Sequence, residues 1–380
     1  MSPTPVTTNL PTQPASYSWE ATDEEIAARY GVPVGSILRF DLNTSPAPPA
    51  LVAGILAEGT FEAPLSEYPP TDYRRLIEAA ARVYGVKTDE LLVGAGADEI
   101  LDIVGKTFLP AGGRAVIPAP TYAMYRVITE QRGAEPIVVP RLGRDAGFAL
   151  DVEATTAAAR TAAVVWLCSP NNPTALAEPP GTIEAVLERL ATDAAADGRE
   201  PAIVVLDEAY AEFVGSSLVD LRLRHPNLVV VRTASKGYAL AGLRVGFAVA
   251  RRETIARMMA FRPPGSISTV SVSVVTAVLS DPDALAANVA RVDAERDRLA
   301  GELRALGWSV GPSVTNFLLV DFGTAKRAAQ VATGLLRRGL VPRTFPAGHP
   351  LAHCLRLTIR DRAGDERFVA AAREIEGERD

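Results

Sequence analysis

Along most of the chain, short runs rich in valine, isoleucine and leucine alternate with longer stretches of helical period. From Thr71 onward the apolar runs fall at residues 91–93, 115–117, 137–139, 163–167, 202–206, 228–231 and 245–248. Several are continuous rather than alternating, which is what a strand buried on both faces requires. Between them, apolar residues recur at intervals of three and four over 73–84, 97–108, 183–195 and 252–261. Strand and helix in strict alternation predict an α/β fold, a mostly parallel seven-stranded sheet with helices on both faces. Pro264-Gly265 marks a break, after which 283–306 has long helical periodicity. A strand over 316–321, a helix over 325–338, a strand over 354–359 and a helix over 365–375 complete a smaller α+β unit. The early helical stretch 22–30 is expected to pack with that unit. The predicted partition is a flexible arm over 1–15, an N-terminal segment over 16–60, a large domain over 61–265 and a small one over 266–380.

Composition narrows the class. Of the 380 residues, 48% are hydrophobic and 22% charged, as in ordinary globular enzymes. Thirty-nine basic against 45 acidic residues leave a net charge of −6, without the positive field that collects nucleic acid. A small anion held by a few placed arginines fits this balance. Two cysteines, Cys168 and Cys354, exclude a disulfide framework and suit a reducing compartment. Three scattered histidines, His225, His349 and His353, do not predict a zinc site. The first residues lack the basic and apolar blocks of a secretory signal, and no apolar run reaches 18 residues, so a cytoplasmic protein is expected, with no membrane or nucleic-acid partner.

Only four lysines occur, Lys87, Lys106, Lys236 and Lys326. Three sit in a turn or on helix surfaces, where a solvated amine is the default. Lys236 instead follows a predicted strand, and open α/β sheets bind ligands at the carboxyl ends of their strands. The 202–206 strand runs into Asp207-Glu208-Ala209-Tyr210, and the 163–167 strand into Cys168-Ser169-Pro170-Asn171-Asn172-Pro173-Thr174. Gly94-Ala95-Gly96-Ala97-Asp98-Glu99 joins a strand to a helix, whose N-terminus offers unpaired N–H groups to a phosphate. Ser235 and Arg244 flank Lys236 with a hydroxyl and a guanidinium. Each piece alone has a plain reading as a helix cap or a turn. Together they match the needs of pyridoxal 5′-phosphate: an amine for a Schiff base, an acid for the pyridine nitrogen, donors for the phenolic oxygen, an aromatic ring and a phosphate cup.

The motifs SPNNPT, DEAY and TASKGYALAGLR resemble the signature of fold-type I pyridoxal-phosphate aminotransferases, and more narrowly of the histidinol-phosphate aminotransferase family. Tyr17 in its WEATDEEIAARYGV context, FDLNTSP, Tyr68-Pro69, GADE, PTYAMY, Asn316-Phe317, GLVPR and CLRLT follow in the family's order. The resemblance implies that Lys236 carries the coenzyme and then moves the substrate proton, that Asp207 pairs with the ring nitrogen, and that Asn172 and Tyr210 bond the phenolic oxygen. It implies stacking by Tyr122, and phosphate binding by Ala97 and Asp98 N–H, Ser235 and Arg244. Tyr68 is expected to reach the other subunit's coenzyme in a homodimer. Arg356, helped by Arg343, Tyr17 and Asn43, is expected to hold substrate, an amino donor or a 2-oxo acid. The reaction so implied is transamination between histidinol phosphate and 2-oxoglutarate in histidine biosynthesis.

Four positions depart from that pattern: Asn43-Thr44-Ser45-Pro46 where Asn-Glu-Asn-Pro is expected, Ala175 and Arg360 where glycines are, and Pro70 where an acid is common. Thr44, Ser45 and Arg360 fall near the expected substrate entrance, which keeps threonine-phosphate decarboxylase and aromatic amino-acid aminotransferase in view on the same fold. Arg360 either adds a cation to the pocket mouth or caps a strand end in solvent. A nicotinamide dehydrogenase is disfavoured because Glu99 stands where GxGxxG needs its third glycine. A transcription regulator of the coenzyme's fold would need a basic helix-turn-helix ahead of Asn43, and the preceding residues are not basic.

Overall fold

Twelve strands form three sheets in the computed structural model, which describes residues 21–378. In chain order they are β1 (Leu38–Phe40), β2 (Leu91–Gly94), β3 (Arg114–Ala119), β4 (Glu135–Pro140), β5 (Val164–Cys168), β6 (Ile203–Asp207), β7 (Leu228–Thr233), β8 (Gly246–Ala250), β9 (Ser309–Val310), β10 (Phe317–Asp321), β11 (Leu340–Pro342) and β12 (Cys354–Thr358). The large sheet has seven strands in the order β2-β8-β7-β6-β5-β3-β4, with β8 antiparallel to both neighbours and the other pairings parallel. All seven expected runs are strands of this sheet.

Alternate residues of each central strand go to opposite faces, as the two-residue period of a strand dictates. Val165, Leu167, Val204, Leu206 and Val230 pack on one side, with the helices Arg74–Tyr84 and Thr182–Ala196. Val164, Trp166, Val205, Val229 and Val231 pack on the other, with the helix Gly96–Phe108 and the helix Met124–Gln131. A third core forms between β10, β12 and the helices Pro282–Ala305, Ala325–Leu336 and Arg362–Gly377. Strand β1 pairs in parallel with β11, which ties the early chain to this third core through Phe40. No single helix among the described residues is long and apolar enough to cross a membrane.

The helix Thr269–Leu279 differs from the sequence reading, which gave no element there. Its sequence, TVSVSVVTAVL, is rich in β-branched residues that disfavour helix. Ser268 caps it by accepting from Ser271 N, and Val272, Val274, Val275 and Val278 are fully buried beside the helix Arg74–Tyr84. Burial of that face outweighs intrinsic propensity, which is worth only ~0.5 kcal/mol per residue.

Candidate active site

Parallel strands β5 and β6 end level with each other, placing Cys168 opposite Asp207 at the carboxyl edge of the sheet. Around that edge opens a cavity of about 1430 Å³. Its walls include Asp207, Lys236, Asn172, Tyr210, Tyr122, Ala97, Asp98, Ser235, Arg244, Asn43, Arg343 and Arg356, residues from ends of the chain more than 300 positions apart. Tyr68 is not part of it: the side chain is 91% exposed on the surface. Tyr17 and the 1–15 arm lie outside the described residues.

Asp207 is buried, and each carboxylate oxygen accepts one hydrogen bond, from Ala209 N at 3.0 Å and from the Tyr125 hydroxyl at 2.8 Å. Burial pushes the acid up to about 6, against the pull of those two donors. Lys236 Nζ donates to the Asn43 carbonyl at 3.0 Å and lies 6.0 Å from the centre of the Tyr210 ring. Desolvation and the neighbouring Arg356 cation bring this amine down to about 8. An amine so depressed is partly neutral near physiological pH, which both Schiff-base formation and proton transfer require.

The remaining side chains hold one another in place. Asn43 Nδ2 donates to the Tyr210 hydroxyl at 2.9 Å, and Asn316 Nδ2 donates to the Asn43 carbonyl at 3.0 Å. The residue expected as a substrate helper therefore also orients Tyr210. Arg356 Nη1 donates to Asn172 Oδ1 at 2.7 Å, and Nη2 donates to the Asp41 carbonyl. That fixes the Asn172 amide, with its NH₂ as the remaining donor end. Tyr122 donates to Asp98 Oδ1 at 3.0 Å. Beneath the site, buried Arg232 bridges Glu208 and Glu212, at 3.2 and 2.7 Å, and so links the loop after β6 to the end of β7 that leads into Lys236.

The anion cup is built by close backbone approach. Gly96 starts its helix at φ +84°, and a Cβ there would lie 2.4 Å from Arg244 Nη2. A Cβ on Gly246 of β8 would lie 2.4 Å from Gly96 C and 2.5 Å from Ala97 N. Only glycine at both positions lets the helix N-terminus, Arg244 and Ser235 share one corner of the cavity. With the acid, the depressed amine and the phenol, this corner supplies the donor set that pyridoxal 5′-phosphate needs, and the cavity has room for coenzyme and substrate together.

Sequence reasoning passed over Tyr125, although it closes the PTYAMY motif. Its three-residue spacing from Tyr122, across the turn into the helix Met124–Gln131, is the available signal. The departures sort differently. Ala175 keeps the left-handed backbone that the glycine of the pattern would adopt, φ +66°, and packs its methyl into the third core. Thr44 lines the cavity, whereas Arg360 does not. The Arg360 N–H donates to Asp365 Oδ1 at 3.1 Å, beside the start of the helix Arg362–Gly377.

Comparison with known proteins agrees with this geometry. The family model for aminotransferases of class I and II matches residues 44–371. A histidinol-phosphate aminotransferase of Roseiflexus castenholzii is 37% identical over 347 residues, covering 88% of this chain and 89% of the relative. One from Thermococcus gammatolerans is 36% identical over 341 residues, covering 90% and 92%. Among solved structures, histidinol-phosphate aminotransferase from Sinorhizobium meliloti in complex with pyridoxal 5′-phosphate superposes with a TM-score of 0.81 at 25% identity over 96% of both chains. L-threonine-O-3-phosphate decarboxylase from Porphyromonas gingivalis shares the fold, with a TM-score of 0.73 at 23% identity over 89% of this chain and 99% of that one.

Proposed function

The chain belongs to the class I and II aminotransferases and works with pyridoxal 5′-phosphate, and from that premise we propose that it transfers the amino group of histidinol phosphate to 2-oxoglutarate, yielding imidazole acetol phosphate and glutamate. The observation that carries the substrate assignment is a pair of arginines. Arg343 and Arg356 face each other across an antiparallel bridge, each N–H donating to the other's carbonyl at 3.0 Å, and both line the cavity that holds Lys236. Directly opposed residues of such a pair project to the same face. Two guanidiniums on one wall suit a phosphate dianion at the far end of the amino donor, and the same fork accepts a carboxylate of glutamate. The names of the relatives support the same donor.

Bound pyridoxal phosphate supplies a carbonyl that condenses with amines and a protonated ring that accepts the electrons of the Cα–H bond. The chain's residues do the rest. Asp207 keeps the proton on the ring nitrogen. Asn172 and Tyr210 donate to the phenolic oxygen, and the Ala97 and Asp98 N–H groups, Ser235 and Arg244 take the phosphate. Lys236 Nζ moves a proton between the substrate Cα and C4′ of the coenzyme. Arg356 and Arg343 anchor the anionic end of substrate so that the Cα–H bond faces that amine.

Tyr68 acts at a second site in this reading. We place it against the coenzyme phosphate of a partner subunit in a homodimer, because a phenol 91% exposed, beside Leu65 at 69%, is an uncovered surface that a second copy would bury. Sedimentation equilibrium should give twice the chain mass, and a monomer at micromolar concentration would remove that role.

The substrate proposal is tested by incubating the holoenzyme with histidinol phosphate plus 2-oxoglutarate, with threonine phosphate alone, and with phenylalanine or tyrosine plus 2-oxoglutarate. Glutamate formation in the first mixture at the highest kcat/KM is the expected result. Carbon dioxide from the second, or preference for the third, contradicts the proposal.

A further inference from the structure

We propose that Tyr125 is the positioning residue that fixes the Asp207 carboxylate for the coenzyme's ring nitrogen, and that it does so as the end of a buried chain running back through Thr129 to Trp166. The Tyr125 hydroxyl donates to Asp207 Oδ2 at 2.8 Å, and the ring is fully buried. The ring stacks on Trp166, with centroids 5.6 Å apart and planes 2° from parallel. The indole N–H donates to Thr129 Oγ1 at 3.1 Å, and that hydroxyl donates to the Tyr125 carbonyl at 2.7 Å. Thus the phenol is held at its face by a ring from β5 and at its backbone by its own helix. Neither its torsion nor its distance to the acid is left to chance.

A carboxylate at the end of a strand can rotate about its last bond unless both oxygens are held. Here Ala209 N holds one at 3.0 Å and Tyr125 holds the other. Each oxygen keeps a second lone pair, and the residue lines the cavity. The result is an acceptor whose plane is set before the coenzyme arrives, which lowers the ordering cost of binding. Tyr122, in the turn before that helix, presents its hydroxyl to Asp98 near the anion cup. The helix Met124–Gln131 and the turn that leads into it therefore brace opposite ends of the coenzyme's bed with two tyrosines.

The groups facing Asp207 come from every adjoining element: Tyr125 from its helix, Cys168 from β5, Tyr210 and the Ala209 N–H from the turn after β6, Asp98 from the helix Gly96–Phe108, and Lys236 from the turn after β7. Among these, Tyr125 and Ala209 N are the hydrogen-bond donors to the carboxylate, and Asp98 disfavours its charge. Removing the phenolic donor therefore raises the pH at which Asp207 takes up a proton and ceases to accept from the protonated ring.

The test measures coenzyme affinity of the apoenzyme, not turnover. Quenching of tryptophan fluorescence gives the pyridoxal phosphate Kd between pH 5.5 and 8.5 for the wild type, Y125F, D207N and the double variant. Y125F keeps the stack on Trp166. It should bind the coenzyme ~10-fold more weakly at pH 7, the low end for a hydrogen bond to a charged group, with the deficit widening as pH falls. In the D207N background the same change should shift Kd by less than twofold, because the group it serves is already neutral. An affinity within twofold of wild type, a loss independent of pH, or an equal loss in both backgrounds overturns the proposal. The thermal midpoint of apo Y125F separates folding defects from this effect, since a structural role alone predicts the same loss with or without Asp207's charge.

Discussion

Gly246→Ala places one methyl group where the structure has room for none. Its Cβ would stand 2.4 Å from Gly96 C and 2.5 Å from Ala97 N, both backbone atoms that cannot swing aside. Ordinary carbon contacts lie near 3.5–4.0 Å, so β8 and the start of the helix Gly96–Phe108 must separate by roughly 1 Å. Overpacking of this kind costs ~1–3 kcal/mol of stability. The larger consequence is local. If the Ala97 and Asp98 N–H groups hold the coenzyme phosphate, moving the start of that helix by this distance spoils a charge-assisted hydrogen bond, worth ~1.5–3 kcal/mol or roughly 10- to 100-fold in Kd. Urea unfolding of the apoenzyme reads the first effect, and fluorescence titration with pyridoxal phosphate the second. Gly54→Ala is the control, since a Cβ there meets nothing within 4 Å inside the helix Leu51–Glu58. That change should leave affinity alone and add up to about 1 kcal/mol of stability. Coenzyme binding by G246A at wild-type strength would refute the assignment of the cup, whatever happened to stability.

Other expectations follow from the same geometry. Arg232→Met leaves Glu208 and Glu212 buried without their cation and should cost ~3–5 kcal/mol at pH 7.5 by urea unfolding. Burial already holds Glu208 above its ordinary value, and losing Arg232 raises it further. A raised acid contributes stability below its unfolded pKa and loses it as pH rises, so the deficit should shrink as the medium is acidified from 7.5 toward 5. In the apoenzyme, reductive methylation of Lys236 should titrate with a midpoint near 8, and Arg356→Met should move that midpoint upward by removing a repelling cation; an unchanged midpoint in R356M contradicts the assigned cause. Arg343→Met should raise KM for histidinol phosphate ~10-fold or more, the loss expected for one charge-assisted contact, without altering coenzyme affinity. A fall in coenzyme affinity in that variant would place Arg343 elsewhere.

The sheet and the coenzyme site were legible for different reasons. Runs such as Val164–Cys168 and the Leu228–Val231 part of β7 are apolar at every position because both faces of a central strand are covered, and continuous hydrophobicity survives in sequence. Asp207, Asn172 and Lys236 could be placed at the cavity because each closes or follows a strand at the carboxyl edge of the sheet, whereas Arg244, which precedes β8, was placed only by its nearness to Lys236 in sequence. The helix Thr269–Leu279 was not legible, since its cause is burial against the helix Arg74–Tyr84, a neighbour nearly 200 residues away, and its valines argue locally for a strand. The Tyr125–Asp207 bond was likewise hidden by an 82-residue separation. Asn43 was placed in the site but given only part of its work, because its bond to Tyr210 depends on how β1 is drawn against β11. Short strands of two or three residues, such as β1 and β9, carry too little periodicity to announce themselves.

The account stands on one amine, one acid and one cup meeting at a single coenzyme. Borohydride reduction of the holoenzyme followed by peptide mass mapping asks where that coenzyme is attached. One phosphopyridoxyl group per chain, on Lys236 and absent from Lys87, Lys106 and Lys326, is the predicted result. A label on any of those three, or none on the Lys236 peptide, would contradict it.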